Sequence, residues 1–286
     1  METLVQLLVS GVLSGAVYAL VALGLSLVFG IMRVINLSHG SFYAMGSFLT
    51  YWLVVKFDMH QLMTLPVVFI TAFLIGILVE RSCVGPIRSY TTTVAIVTLG
   101  VAILMEQFFH LVWGPFYLSL PRALPAVHSG RVTWDLQQVA AGLIAVAIII
   151  LFFLCLRTKL GIAVRMVEQD AEGAELVGIN VEMVQMLIFG FAGALAASAG
   201  TLTVSLHSIY PTMGRIPMVI SLAIVIVGGL GNIQAALLAG LLVGVLSSLV
   251  GFYLLPEWSY ILALLAIILV LLNRPSGLLG RAIRGD

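Results

Sequence analysis

Long apolar runs alternate with short polar breaks along nearly the whole chain. Nine apolar segments stand out, at 4–29, 40–56, 61–80, 92–112, 135–156, 186–206, 217–230, 234–252 and 259–273. Their apolar residues are continuous, unlike the roughly 10-residue alternating strands of a membrane barrel. A helix crossing a bilayer core needs about 20 apolar residues, and most of the segments approach that length. Segments 40–56 and 217–230, with 17 and 14 residues, are short and read as either crossings, half-helices or re-entrant pieces. The pattern predicts an all-α, polytopic membrane helix bundle in one domain, 1–286. About eight to ten transmembrane helices are expected, including short or broken ones.

Composition points to the same solvent. Of the 286 residues, 62% are hydrophobic and 9% charged, against about 45–50% apolar and 25% charged in soluble domains. The formal net charge of +1 gives no reason to expect a nucleic-acid partner. Residues 1–29 lack a basic n-region, and their apolar run exceeds a signal-peptide h-region. They are expected to stay in the mature chain as the first spanning helix.

Lys and Arg set the orientation, because they concentrate on the cytoplasmic side. With nine crossings and the C-terminal side inside, Arg33, Arg81, Arg88, Arg157, Lys159, Arg165, Arg274, Arg281 and Arg284 face the cytoplasm. Lys56, Arg122, Arg131 and Arg215 fall outside.

Two long polar connections remain. The outer one, 113–134, carries Pro115, Pro121 and Pro125, which argue against a continuous helix. It either caps the outer mouth or is an ordinary structured loop. The inner one, 157–184, holds most of the concentrated charge. Its apolar and charged residues alternate at three- and four-residue steps, which predicts one or two short amphipathic helices.

Enzyme signatures are missing: no phosphate-binding loop, no zinc-protease helix and no serine elbow occur. The five histidines are scattered without metal-ligand spacing. Cys83 and Cys155 read as small apolar fillers. An intramembrane enzyme would need a convergent nucleophile, acid–base pair or metal set.

Three polar features interrupt the apolar runs. The stretch INLSHGSFYAMGSF (35–48) places Asn36, Ser38, His39 and Gly40 together. A second break contains Gly228, Gly229, Gly231 and Asn232. Broken backbone within a membrane is tolerated where it faces protein or a water-filled cavity. Both breaks are therefore candidates for a solute pathway, with a helix-boundary turn as the plain alternative. Glu106 is the most deeply placed acid, about 21 Å along its segment from Thr92. An intramembrane carboxylate is a functional candidate, here with Gln107 or His110 as expected partner. Gly11 and Gly15, and Gly240 and Gly244, form G-x-x-x-G pairs suited to close helix packing.

Within the inner loop, Glu172-Gly173-Ala174-Glu175-Leu176-Val177-Gly178, with Ile188 ten residues on, resembles the E-A-A-x-x-x-G signature of ATP-binding-cassette importer permeases. Gly173 replaces the signature's second residue, and the final Leu-Pro is missing after Ile188. Four blocks extend the likeness: GLSLVFGIMRVINLSHGSFYAMGSF (24–48), TLG with the following Glu-Gln (98–107), RTKLGIAVRMVEQDAEGAELVGIN (157–180) and IVGGLGNIQAALLAG (226–240). In this order the chain resembles the branched-chain amino acid permease family, apart from Gln234, where glycine is expected.

The resemblance implies a transport subunit without an ATPase site. It binds no cofactor or metal itself, with ATP and Mg held by partner subunits. The implied partners are two cytoplasmic ATPases, a second related permease, an extracytoplasmic solute-binding protein and the lipid of the cell inner membrane. Arg165, Glu168, Asp170, Glu172, Gly173, Ala174 and Gly178 are then the ATPase-docking residues, in a loop at about 157–185. Thr98 joins Asn36, Ser38, His39, Gly40, Glu106 and the second break as pathway candidates. An ion-coupled secondary transporter remains the alternative.

Overall fold

The computed structural model describes residues 2–129 and 132–254, together with 258, 261, 265, 269, 270, 272 and 273. The expected segment 259–273 lies largely outside the described residues, and Arg131, Arg274, Arg281 and Arg284 lie wholly outside them. The other eight apolar segments become helices. They are α1 (Glu2–Met32), α2 (His39–Phe57), α3 (Leu65–Val79, entered by a 3-10 turn at Gln61–Thr64) and α4 (Thr91–Trp113). After these come α5 (Leu136–Cys155), α8 (Val181–Thr203), α9 (Arg215–Gly228) and α10 (Ile233–Tyr253). The inner loop forms α6 (Lys159–Gln169) and α7 (Ala171–Leu176), the two short helices that its periodicity implies.

Six helices among the described residues are long and apolar enough to cross a membrane; α9, with 14 residues, is a shorter apolar piece, and α2, with 19, is not among the six. The fold is a polytopic helical bundle. One hairpin departs from the expectation: β1 (Ala126–Ser129) pairs antiparallel with β2 (Val132–Asp135) in the outer loop. A two-stranded ribbon this short gives no strong pattern in sequence.

α1 and α8 are the most enclosed spans. Glycine lets their neighbours come close, since lipid offers no hydrophobic drive between helices. A Cβ at Gly11 would stand 2.7 Å from Val245 Cα, and one at Gly244 would collide with the Gly15 backbone. The α1–α10 pair is therefore antiparallel and backbone-close. A Cβ at Gly46 would likewise strike the Ala197 carbonyl, which sets α2 against α8. Gln234 is exposed, and it is Ala235 that packs on Gly228. Departure from glycine at 234 thus costs no close approach.

A ladder of polar side chains binds α2, α3, α5 and α8 toward their outer ends. Ser47 Oγ donates to the Gly200 carbonyl (3.1 Å), and Thr50 Oγ1 to Thr201 Oγ1 (3.0 Å). Gln61 Nε2 donates to the Thr201 carbonyl (2.9 Å) and accepts at Oε1 from Gln137 Nε2 (3.1 Å). These bonds are made inside the protein, where lipid offers no partner; among the described residues, Gln137 Oε1 alone in the ladder is left without one.

Candidate functional site

The inner elbow is built by its caps. Asp170 ends α6 and starts α7; its Oδ1 accepts from the Gly173 N–H at 3.0 Å. α7 closes with Gly178 at φ +87. Gly178 N–H bonds to the Glu175 carbonyl, and Ile179 N–H to the Ala174 carbonyl, at 2.9 and 3.0 Å. That paired closure needs a residue in the left-handed region, which glycine adopts freely. Asn180 then caps α8 through the Met183 N–H at 2.9 Å.

Val164, Val167 and Ala174 bury one face of this elbow. Leu176 and Val177 are 89% and 65% exposed at its tip, and Arg165, Glu172 and Glu175 are exposed on its flanks. Glu168 turns inward, toward the Gly30–Gly231 contact. The elbow thus rests on the end of α1 and the root of α8.

Arg88 braces the same end. Its Nη1 donates to Gln185 Oε1 (2.8 Å) and lies 3.5 Å from Glu182, while Nη2 donates to Glu80 Oε1 (3.1 Å). It joins the inner end of α3 to the root of α8. Nothing in the local sequence marks this role, because Glu182 and Gln185 lie more than ninety residues from Arg88 and only Glu80 is near it in the chain.

The opening knot is re-entrant. Arg33, at φ +53, turns the chain back at the end of α1, and α2 begins within the bundle. His39 Nε2 bonds to the Val21 carbonyl at 2.9 Å, about 16 Å up α1 from Met32. Leu37 N–H donates to Thr98 Oγ1 at 3.1 Å, about 10 Å into α4. Asn36 Oδ1 accepts from Ser38 N–H (3.0 Å) and Ser38 Oγ (2.6 Å). Asn36, Ser38, His39 and Thr98 are fully buried. Gly40 meets Gly214 backbone to backbone, so the first turns of α2 and α9 touch. The structure therefore brings Asn36, Ser38, His39, Gly40 and Thr98 together.

Glu106 corrects one expectation. Its partner is neither Gln107 nor His110 but Arg215, which it binds with both oxygens: Nε–Oε1 2.9 Å and Nη2–Oε2 2.6 Å. Arg215 is thereby tied to α4. It opens α9 immediately after Gly214, beside the start of α2.

The second break lies elsewhere. Gly228, Gly229, Gly231 and Asn232 join α9 to α10 at the inner end, apart from the opening knot. Gly229 and Gly231 have φ +112 and +81, and Asn232 Oδ1 caps α10 through the Ala235 N–H at 3.0 Å.

A small cavity of about 50 Å³ opens in the outer half between α1, α2, α5, α8 and α9. Ser14, Tyr18, Tyr43, Gln138, Thr203, His207 and Ser221 supply its polar lining. It has room for a few waters. Sequence reasoning missed it because each contributor is a single polar residue in or just past an apolar helix.

Residues 7–271 match the model of the family described as branched-chain amino acid transport system, permease component. The chain belongs to that family. It is 30% identical to the high-affinity branched-chain amino acid transport permease LivH of Salmonella typhimurium, over 96% of this chain and 95% of that protein. It is 29% identical to BraD of Pseudomonas aeruginosa over the same shares. LivM of Escherichia coli, also a branched-chain amino acid permease, is 26% identical over 92% of this chain and 68% of its own length. Membership of this permease family supports an ATP-binding-cassette importer subunit and not the ion-coupled secondary transporter. With six apolar spans, the chain is a multi-pass membrane protein.

Proposed function

We propose that this chain forms the transmembrane path of an ATP-binding-cassette importer and carries branched-chain or related amino acids into the cytoplasm. It sits in the cell inner membrane as one permease domain beside a second, related permease. Two cytoplasmic ATPases hold ATP and Mg, and an extracytoplasmic protein delivers the solute. The chain itself binds no cofactor.

The observation that carries this reading is the inner elbow. Leu176 and Val177 project from a capped turn between two spans, an apolar tip rimmed by charge. Such a tip suits a groove on a soluble ATPase better than open water. Arg165, Glu168, Asp170, Glu172, Gly173, Ala174 and Gly178 shape it or flank it. The elbow leans through Glu168 on the Gly30–Gly231 contact, and from there α9 runs about 21 Å to Arg215 and Gly214. Movement of the ATPases thus has a rigid route from the elbow to the place where α2 and α9 begin. Asn36, Ser38, His39 and Thr98 hold that crossing in shape, and Gly228–Asn232 is the hinge at its inner end.

The test is co-expression with the two ATPases, the second permease and the binding protein. ATP-dependent uptake of a branched-chain amino acid into vesicles is expected. Uptake by the chain alone, driven by an ion gradient, overturns the reading.

A further inference from the structure

The Glu106–Arg215 pair is oddly placed. Glu106 lies seven residues, about 10 Å, below the outer end of α4. Its side chain is 12% exposed, while that of Arg215 is 66% exposed. A charged group at such depth does not face hydrocarbon without heavy cost.

The faces of α4 show where it does look. Val94, Thr98, Ala102 and Phe109 form the buried face. Leu104, Phe108 and Leu111 are strongly exposed on a second, wholly apolar face, as lipid requires. Glu106 and His110 lie on a third face, roughly 130–170° away from the lipid face, with the exposed Leu99 and Ile103 beside them, and Gln107 stands between the two faces. Gln107 and His110 are exposed. This strip, where the half-sheltered Glu106 carboxylate pairs with the exposed Arg215 guanidinium close to exposed His110, calls for water or a second polypeptide beside it and not hydrocarbon. α9, moreover, starts here without a side-chain cap, which turns the positive end of its dipole toward the same strip.

Resting on the importer reading above, we propose that Glu106 and Arg215 form a binding pair for the amino acid zwitterion during passage. In the solute-free state the two ends satisfy each other. A passing α-amino acid inserts between them, its carboxylate on the Arg215 fork and its ammonium on Glu106. One ion pair is exchanged for two, and the site stays neutral throughout. Arg suits the carboxylate because its planar fork matches it with two parallel hydrogen bonds. A compound lacking either charged group leaves one protein charge unpartnered, which disfavours its entry. The pair thereby selects for the amino acid backbone and leaves the side chain to other surfaces.

The experiment uses the complete transporter in nanodiscs and liposomes. Saturation-transfer NMR reads weak binding of L-leucine, of 3-methylbutylamine (leucine without its carboxylate) and of 4-methylpentanoate (leucine without its ammonium). Wild type is expected to bind leucine at least about tenfold better than either analogue, the scale of a charge-assisted bond. R215Q loses the preference over the amine, and E106Q loses the preference over the carboxylate. The double variant E106Q/R215Q keeps a side-chain hydrogen bond and leaves no lone charge, yet recovers neither binding nor uptake. If the double variant restores wild-type uptake and selectivity, the pair is structural and the proposal is overturned with the importer reading intact. If wild-type complex shows no ATP-driven amino acid uptake at all, the importer reading fails and takes the proposal with it.

Discussion

Gly30 of α1 and Gly231 of the α9–α10 turn touch backbone to backbone, with Glu168 of α6 beside them. A Cβ at Gly231 would stand 3.1 Å from Gly30 Cα, and Gly231 sits at φ +81. The inner elbow, the end of the first span and the hinge before α10 therefore meet at one point.

Replacing Gly231 with valine strains this point twice, by its left-handed backbone and by the lost clearance. The expected loss is about 1–3 kcal/mol from the backbone alone, with more from overpacking. Thermal unfolding of the purified chain in detergent measures it. A melting temperature equal to wild type would show that the contact is slack.

Asn36 shapes the opening knot through its carbonyl oxygen. Asn36→Ala leaves the Ser38 N–H and Oγ without that acceptor in a fully buried place, a cost of about 1–3 kcal/mol for each group stranded. The double variant N36A/S38A removes one of the two donors and is expected to regain part of the loss. Strict additivity of the two substitutions, in the same unfolding assay, would contradict the bond.

Gly178 holds the elbow turn, and its position is otherwise open: a Cβ there meets nothing within 4 Å. Gly178→Val is therefore expected to disturb the elbow through φ alone and to leave the bundle folded. Co-purification with the ATPases should fall severalfold or more, while the yield in membranes stays near wild type. Glu172→Lys, which reverses a charge on the elbow flank, should weaken the same assembly. Normal assembly in both variants would remove the docking assignment.

Two helical glycines, one buried and one exposed, should behave oppositely. Gly244→Leu drives a side chain into the α1 backbone at Gly15 and is expected to prevent normal packing of α10. Gly100 lies on α4, where an added Cβ would meet nothing within 4 Å. Gly100→Ala is therefore expected to be neutral or to stabilise by up to about 1 kcal/mol. Expression level and melting temperature separate the two.

The apolar spans were legible because lipid demands them: each helix must present a continuous apolar length whatever it packs against. The elbow was legible because its apolar and charged residues alternate at helical steps within one short stretch, whereas the caps that shape it, Asp170 on Gly173 and Asn180 on Met183, came only with the structure. The ion pair was not, since Arg215 precedes an apolar helix and reads as a loop charge until the chain is seen to turn back into the bundle. The Thr50–Thr201 and Gln61–Gln137 bonds were hidden for the same reason, as each joins residues that only the packing brings together. The second glycine break was visible, but its place beside Gly30 rather than the opening knot depends on the antiparallel pairing of α1 with α10.

The central claim is that nucleotide hydrolysis elsewhere moves this chain through its inner elbow. Its most direct test compares ATP-driven leucine uptake in liposomes holding the full assembly with wild-type chain or with Gly178→Val, at matched amounts of inserted protein. The account predicts uptake in the first and near-background uptake in the second. Equal uptake in both, or leucine uptake by the chain without its ATPases, would contradict it.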